Sequence, residues 1–366
     1  MLFLASCRAI DRSLWIEWVV QLGLPLCIRP LINPSELHNL PDGSKGNVTM
    51  KHVLLTGANG FVGKVLQTQL LAAGYQVTGT VSSIPGDQGD VEYQQLDVRD
   101  TEAVARLIQS VQPTHVIHLA AVSHVPTSFS DPLRTWQTNV IGSLNLLEAL
   151  KHHAPKAFIL FASSSEVYGE AFKVGEPLDE EQPCLPMNPY AASKRAAELA
   201  FIQYFRQGLR GVIARPFNHI GPGQSPDFVT ASFAKQIAEI EQGLQPPVLR
   251  VGNLEACRDF LDVHDVCSAY LSLLSLSTQP SGHYIFNIAS GRARRIRELL
   301  DALLAQSLVQ INVEQDPARL RPSDIPFAVG CSQRLQVETA WQPRFSLRET
   351  LNELLEYWRS QTRARA

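Results

Sequence analysis

From Met50 onward, short apolar runs alternate with longer segments whose apolar positions recur at helical spacing. Runs at Val53–Thr56, Gln76–Val81, Val91–Leu96, His115–Leu119, Phe158–Ala162 and Val212–Ala214 predict strands. Segments at Val62–Ala73, Thr101–Ser110, Pro132–His152 and Pro189–Gln207 predict the helices between them. Strands that are apolar throughout and separated by helices belong to a parallel sheet covered on both faces, because each crossover lays a helix over the sheet. The expected fold class is therefore α/β with a doubly wound parallel sheet.

The first fifty residues break this pattern. Leu14 to Ile28 is fairly apolar, but Glu17 interrupts it and Pro25 breaks it, so it is too short for a spanning helix. No small-residue cleavage site marks a signal peptide, and Pro30 to Val48 has linker composition. Met50 stands directly before the first strand, which predicts that the natural chain starts there and that residues 1–49 form a poorly ordered extension. N-terminal sequencing of the native protein that found Met1 would overturn this.

Charge and cysteine usage narrow the partners. Among 366 residues, 32 are basic and 35 acidic, which argues against nucleic acid and against an anionic membrane. An anionic ligand must then be met by a few local cations. Six cysteines, at 7, 27, 184, 257, 267 and 331, show no C-x-x-C pair and no ligand-like grouping. They read as reduced thiols of a cytoplasmic protein without a metal site.

The first strand leads into V-L-L-T-G-A-N-G-F-V-G at Val53–Gly63. Gly57 permits a tight turn off the strand, Gly60 lets a diphosphate approach the backbone, and Gly63 lets the next helix pack closely on the sheet. Asn59, Phe61 and Val62 complete the loop and open that helix, whose free N–H groups and positive end suit phosphate. Strand before and helix after make this a Rossmann-type dinucleotide site. The second strand ends Thr80-Val81-Ser82-Ser83, without the acid that would hold adenosine ribose hydroxyls and without a cation for a 2′-phosphate. The cofactor expected is NADP(H), with NAD(H) permitted. Asp97 and Val98, after the third strand, can reach the adenine; Leu119, Ala120 and Ala121, after the fourth, let a cofactor lie against the backbone. Asn139 falls inside a predicted helix, where an Asn more often faces solvent or braces a neighbour than acts chemically.

Catalytic residue types converge further on. Phe158–Ala162 runs into Ser163-Ser164-Ser165-Glu166-Val167-Tyr168-Gly169, placing hydroxyls at a strand's C-terminal end, where open α/β sheets bind ligands. Asn188-Pro189-Tyr190-Ala191-Ala192-Ser193-Lys194 then opens a helix, and Tyr190 and Lys194, four apart, share a face. A Tyr–Lys pair at that spacing is on its own more often a surface contact than a site, and it gains weight from the serine-rich strand end and the dinucleotide loop; an ammonium beside a phenol favours the phenolate and lowers its pKa.

The T-G-x-x-G-F-x-G loop, the S-S-x-E-V-Y-G turn and the P-Y-x-x-S-K helix resemble the extended short-chain dehydrogenase/reductase superfamily over residues 50 to about 360. Arg215-Pro216-Phe217-Asn218-His219-Ile220-Gly221-Pro222-Gly223-Gln224, Val251–Phe260 and Arg321-Pro322-Ser323-Asp324 look most like its GDP-6-deoxy-4-keto-mannose reductase branch. The related GDP-mannose 4,6-dehydratases carry a longer, Arg-containing loop where this chain has Ile-Gly-Pro-Gly-Gln. The resemblance implies reduction of the C4 ketone of GDP-4-dehydro-6-deoxy-D-mannose to GDP-D-rhamnose, with a 4,6-dehydratase or sugar-nucleotide epimerase as enzyme alternatives. A non-catalytic dinucleotide sensor is the alternative of another class, against which the intact Ser164, Tyr190 and Lys194 argue. Carried over, Tyr190 is the proton donor, Lys194 tunes it and holds the nicotinamide ribose, and Ser164 steadies the C4 oxygen. Ser165 and Glu166 contact the sugar, although a ketone reduction does not require the Glu166 carboxylate. Lys235, Arg258 and Arg321 grip the diphosphate, Asn218 a sugar or phosphate oxygen, and Asp324 the guanosine ribose. The resemblance also implies a dinucleotide-binding domain of residues 50–217 plus 257–290, with a helix at His264–Leu274 and a strand at Tyr284–Ile288. A smaller, discontinuous C-terminal domain of residues 218–256 plus 291–360 takes the sugar nucleotide. A homodimer is implied through the helices at Pro132–His152 and Pro189–Gln207.

Overall fold

Strand β1 (His52–Thr56) is central because four of its five residues are fully buried and both of its edges are paired. The computed structural model describes residues 51–84, 89–278, 282–319 and 325–364, so the 1–49 extension and the Met50 start lie outside the described residues. Around β1 stand β2 (Gln76–Val81), β3 (Glu92–Gln95), β4 (His115–His118), β5 (Phe158–Ala162), β6 (Arg210–Pro216) and, later in the chain, β10 (Ile285–Ile288). All seven pair in parallel in the order β10-β6-β5-β4-β1-β2-β3. This is the doubly wound arrangement expected from the apolar runs, with a reversal of strand order between β1 and β4.

Helices cover both faces. On one side α1 (Phe61–Ala72) and α8 (Val263–Leu274) pack Leu66, Leu70, Val266, Tyr270 and Leu273 onto the sheet. On the other, α2 (Thr101–Val111), α5 (Gly142–His153) and α6 (Pro189–Arg206) supply Ile108, Leu146, Leu150, Phe201 and Phe205. A separate apolar cluster, including Phe233, Leu249, Leu300 and Leu354, joins α7 (Val229–Glu241), β8 (Val248–Val251), α9 (Ile296–Leu304) and α11 (Leu347–Arg363). Smaller strands β7 (Asn218–Ile220), β9 (Cys257–Asp262), β11 (Ala293–Arg295) and β13 (Phe327–Ala328) form a second sheet, and β12 (Asn312–Gln315) pairs with β8.

One predicted helix is interrupted. Pro132–His152 is not a single α-helix: α3 (Val125–Ser130) precedes α4 (Pro132–Trp136), and a π turn at Gln137–Ile141 separates α4 from α5. The widened turn aims Asn139 inward, where its amide accepts from Val122 N (2.8 Å) and donates to Val122 O (3.1 Å) and Ser193 Oγ (2.9 Å). Such bulges cluster at functional sites because they redirect a side chain without ending the helix. Asn139 thus braces the loop after β4 against the helix bearing Tyr190. Among the described residues no helix is long and apolar enough to cross a membrane, and Cys184, Cys257, Cys267 and Cys331 are free thiols.

Candidate active site

The C-terminal ends of β1, β2, β4, β5 and β6 open into one cleft of about 2210 Å³, well beyond the roughly 300–1,000 Å³ of a single small-ligand pocket. It has room for two large ligands side by side. Gly57, Asn59, Gly60, Phe61, Val62 and Gly63 line it from the first loop, and Asp97, Val98, Leu119, Ala120 and Ala121 from the next ones. Ser164, Ser165, Glu166, Tyr190, Lys194, Asn218, Lys235 and Arg258 line the remainder. Arg321 and Asp324 lie outside the described residues.

The loop geometry fits a dinucleotide. Gly57 has φ +74°, and a Cβ there would meet Ala120 N at 3.0 Å, so the loop lies directly against the chain leaving β4. Gly60 caps α1 with no side-chain hydrogen bond and no acid in the first turn, leaving the helix's positive end open to an anion. After β3, Arg99 bonds Asp97 through Nη2–Oδ2 (2.6 Å) and holds its carboxyl below the usual range. Ser82 and Arg99 also line this part of the cleft. Arg99 is a cation that the second strand did not signal, because it lies past the third.

The part of the cleft around Ser164, Tyr190 and Lys194 is assembled from α6 and the turn after β5. Asn188 caps α6, its Oδ1 accepting Ala191 N at 2.8 Å, and Pro189 follows where a missing N–H costs nothing. The same Asn188 donates to Glu166 Oε2 (3.1 Å), tying the start of the Tyr190 helix to the turn after β5. The sequence marked this segment as a helix start, but not the bond from Asn188 to Glu166. Ser164 accepts Glu166 N (3.2 Å) and also hydrogen-bonds the Tyr190 phenol.

Burial dominates the titration of the pair. It pushes Tyr190 up to about 12, with the Ser164 hydrogen bond lowering it and the Glu166 charge raising it further. This differs from the lowered phenol expected from a neighbouring ammonium: both groups are almost fully buried, and desolvation is the largest cause. Burial likewise brings Lys194 down to about 7, opposed by the charge of Glu198. Its Nζ donates to Ala162 O (2.7 Å) and sits 4.9 Å from the centre of the Phe161 ring. The Tyr190 phenol therefore keeps its proton at neutral pH.

Cations gather at the other end. Lys235 lies 3.7 Å from Glu239, Arg258 Nη1 donates to Ile325 O (2.6 Å), and Arg319 Nη1 donates to Ser232 Oγ (3.2 Å). Arg319 and Arg250 line the cleft without having been picked out from the sequence, where nothing but charge distinguished them. Asn218 Nδ2 donates to Asp259 O (3.3 Å) beside them. Lys235, Arg250, Arg258 and Arg319 thus line the same cleft.

The family described as GDP-mannose 4,6 dehydratase matches residues 54–354. The chain belongs to this family. Within it the chain is 40% identical to the GDP-6-deoxy-D-mannose reductase of Pseudomonas aeruginosa over 86% of its own length and 99% of the relative's. It is 28% identical to the GDP-mannose 4,6 dehydratase of Cricetulus griseus, over 87% of its own length and 94% of the relative's. The solved structure of RMD from Pseudomonas aeruginosa complexed with NADPH superposes with a TM-score of 0.75 at 39% identity, covering 85% of this chain and all of that one. These family members share the extended short-chain dehydrogenase/reductase architecture read from the motifs.

Proposed function

We propose that the protein reduces the C4 ketone of GDP-4-dehydro-6-deoxy-D-mannose to GDP-D-rhamnose with NADPH. The observation that carries this is the convergence of Ser164, Tyr190 and Lys194 in the cleft that the uncapped, glycine-lined start of α1 also enters. The higher identity to a relative named as a reductase than to one named as a dehydratase gives the direction of the chemistry. The NADPH in the similar solved structure supports that cofactor.

Gly57, Gly60 and the first N–H groups of α1 would hold the dinucleotide diphosphate, and Asp97 with Val98 the adenine. A reduced nicotinamide supplies a hydride when bound. Ser164 donates a hydrogen bond to the ketone oxygen, steadying charge as it develops there. Tyr190 gives its proton to that oxygen, and Lys194 favours the phenolate left behind. Lys235, Arg258, Arg319 and Arg321 meet the diphosphate of the sugar nucleotide, for which guanidinium forks are suited. We divide the chain accordingly into a dinucleotide-binding part, residues 50–217 plus 257–290, and a sugar-nucleotide part, residues 218–256 plus 291–360.

Two further readings accompany this one. Phe129, Leu133, Trp136, Ile141 and Leu199 are large apolar side chains exposed along α3, α4, the π turn and α6. The chain buries this face against a second copy, forming a homodimer. With its free thiols it works in the cytoplasm.

A second enzymatic reading, 4,6-dehydration, is favoured by one observation: Glu166 stands in the cleft, anchored by Asn188, although ketone reduction leaves its carboxylate unused. The test is to mix the protein with GDP-4-dehydro-6-deoxy-D-mannose and follow NADPH absorbance, then identify the product by NMR. Stoichiometric loss of NADPH with formation of GDP-D-rhamnose is expected. Conversion of GDP-mannose without net NADPH consumption, and none of the ketone, would replace the reductase with the dehydratase.

A further inference from the structure

Glu198 is fully buried and touches neither the cleft nor solvent, yet four donors converge on it. Its Oε1 accepts Ser163 Oγ (2.6 Å) and Arg215 Nε (2.8 Å), and its Oε2 accepts Arg215 Nη2 (2.8 Å) and Arg195 Nη1 (2.8 Å). A buried ion pair is costly to desolvate and can often be exchanged for apolar packing, so its presence is weakly explained by stability alone. Its position offers another explanation. Glu198 lies one helical turn beyond Lys194 on the same face of α6, and its bonds reach the residue next to Ser164 and the end of β6.

We propose that Glu198 is a positioning residue for the proton-donor pair, the counter-charge that keeps the buried Lys194 ammonium charged and directed at Ala162 O. This rests on the reading of Tyr190 and Lys194 as that pair. The groups around Lys194 leave Glu198 this part. On its own helix stand Tyr190, Arg195 and Glu198; on β4, His118; on β6, Arg215; beyond β5, Glu166 and Tyr168; on α8, Tyr270; and beside Arg215, Cys184. Burial holds His118 neutral, down to about 3, with the Lys194 charge as a further cause. Burial also raises Tyr168, Tyr190, Tyr270 and Cys184, so these carry no negative charge at neutral pH. Arg195 and Arg215 are cations. Glu166 faces the cleft and bonds Asn188. Burial alone would raise Glu198, but the hydrogen bonds and charge of Arg215, with Ser163 and Arg195, hold its carboxyl below the usual range and therefore ionised. Among the described residues it is the anion on the closed side of the site, and its charge opposes the desolvation of Lys194.

The experiment compares wild type with Glu198→Gln, Glu198→Asp and Glu198→Gln/Arg215→Met. The double variant removes the pair together, so that an unpaired buried guanidinium does not decide folding. Two quantities are read against pH: kcat/KM for the ketone, and the Lys194 side-chain resonance in carbon-13 lysine-labelled protein, assigned by its loss in Lys194→Met. Expected in both Gln variants is a displacement of the Lys194 titration, and of the alkaline limb of kcat/KM, to lower pH by roughly one unit, with Glu198→Asp close to wild type. Should Glu198→Gln fail to fold, the double variant carries the comparison. A Lys194 titration unmoved in the folded Gln variants, with kcat/KM merely scaled down at every pH, makes Glu198 structural only and overturns the proposal. The resonance needs no turnover, so a protein that proves inactive on the ketone refutes the proposed reaction while this test still stands.

Discussion

Gly60 and Gly63 lie three residues apart in one loop, and the structure gives them opposite sensitivities to the same added methyl group. A Cβ at Gly63 would stand 2.4 Å from Gly57 O, 2.6 Å from Ala58 O and 2.8 Å from Ala58 C. These are backbone atoms that cannot swing aside, and an ordinary carbon–oxygen contact is at least ~0.8 Å longer. Either the loop yields or α1 withdraws from the sheet, where Leu66 and Leu70 are completely buried. Overpacking of this kind costs about 3 kcal/mol at the upper end, and alanine's better helix propensity returns about 1. The net of roughly 2 kcal/mol lowers the melting temperature by roughly 4–8 °C for a domain of this size. Moving the loop N–H groups also weakens charge-assisted hydrogen bonds, so NADPH affinity falls roughly 10- to 100-fold. At Gly60 the backbone is ordinary (φ −70°, ψ 170°), and the nearest atom to a Cβ is Gly57 O at 3.2 Å. Gly60→Ala therefore melts within about 1 °C of wild type, while its methyl, on a residue lining the cleft, costs at least about tenfold in NADPH affinity. Thermal unfolding without ligand and calorimetric titration with NADPH measure the two effects separately. The reasoning is refuted if Gly63→Ala melts and binds like wild type, or if Gly60→Ala unfolds the protein as severely as Gly63→Ala.

Tyr190→Phe removes the donated proton while keeping the ring's packing, so turnover of the ketone drops roughly 10²- to 10⁴-fold with NADPH affinity little changed; near-normal turnover takes Tyr190 out of the mechanism. Burial holds His115 down to about 4 and His118 down to about 3, against about 6.5 in an unfolded chain. Because these folded-state values are depressed, their contribution is complete above pH ~6.5 and is lost as pH falls toward 4, at up to about 1.4 kcal/mol per unit for each group. Urea midpoints at pH 7 and pH 5 should therefore diverge in wild type and converge in His115→Gln/His118→Gln; equal slopes would contradict the assignment. Leu133→Glu/Leu199→Lys places charges on the exposed apolar face, and light scattering should then report a monomer where wild type is a dimer; a wild-type dimer untouched by both charges moves the interface elsewhere.

Six of the seven strands of the sheet were legible because parallel strands buried on both faces leave unbroken apolar runs, as Phe158–Ala162 does; the seventh, β10, came from the family resemblance. The edge strand β3 was harder, since Glu92, Tyr93, Gln94 and Gln95 are polar and partly exposed, and it is shorter than its apolar borders suggested. The cleft residues named from motifs fall together because the glycine loop, the serine turn and the Tyr–Lys helix each bind chemistry to a fixed local spacing. What spacing could not reveal were bonds between distant segments. Asn139 reads as an ordinary helix residue until the π turn brings it to Val122 and Ser193, 17 and 54 residues away. Glu198 was not picked out from the sequence at all, and its part comes only from the bonds with Ser163 and Arg215 that enclose it. The cations lining the cleft were only partly foreseen, because Arg250 and Arg319 differ from surface arginines in tertiary position alone.

Strand order explains why these scattered signals meet. The chain reverses direction across the sheet between β1 and β4, so the loops leaving those two strands diverge to opposite faces and open a crevice between them. The crevice is held at a fixed width by Thr56, whose Oγ1 accepts Leu119 N (3.1 Å) and Ala120 N (3.2 Å) and bonds His118 Nδ1 (2.7 Å). His118 in turn reaches Ser143 on α5 (3.2 Å), which bonds Asn139 O (2.7 Å), and Asn139 bonds Ser193 beside Lys194. A polar chain therefore runs beneath the cleft from the first strand to α6, with every link buried. Buried hydrogen bonds are expensive to leave unmade, so movement at one end is penalised at the other. The links that begin at Thr56, directly before the glycine loop, end at Ser193, whose Oγ donates to Tyr190 O (2.7 Å), so the loop after β1 and the start of α6 are held in register.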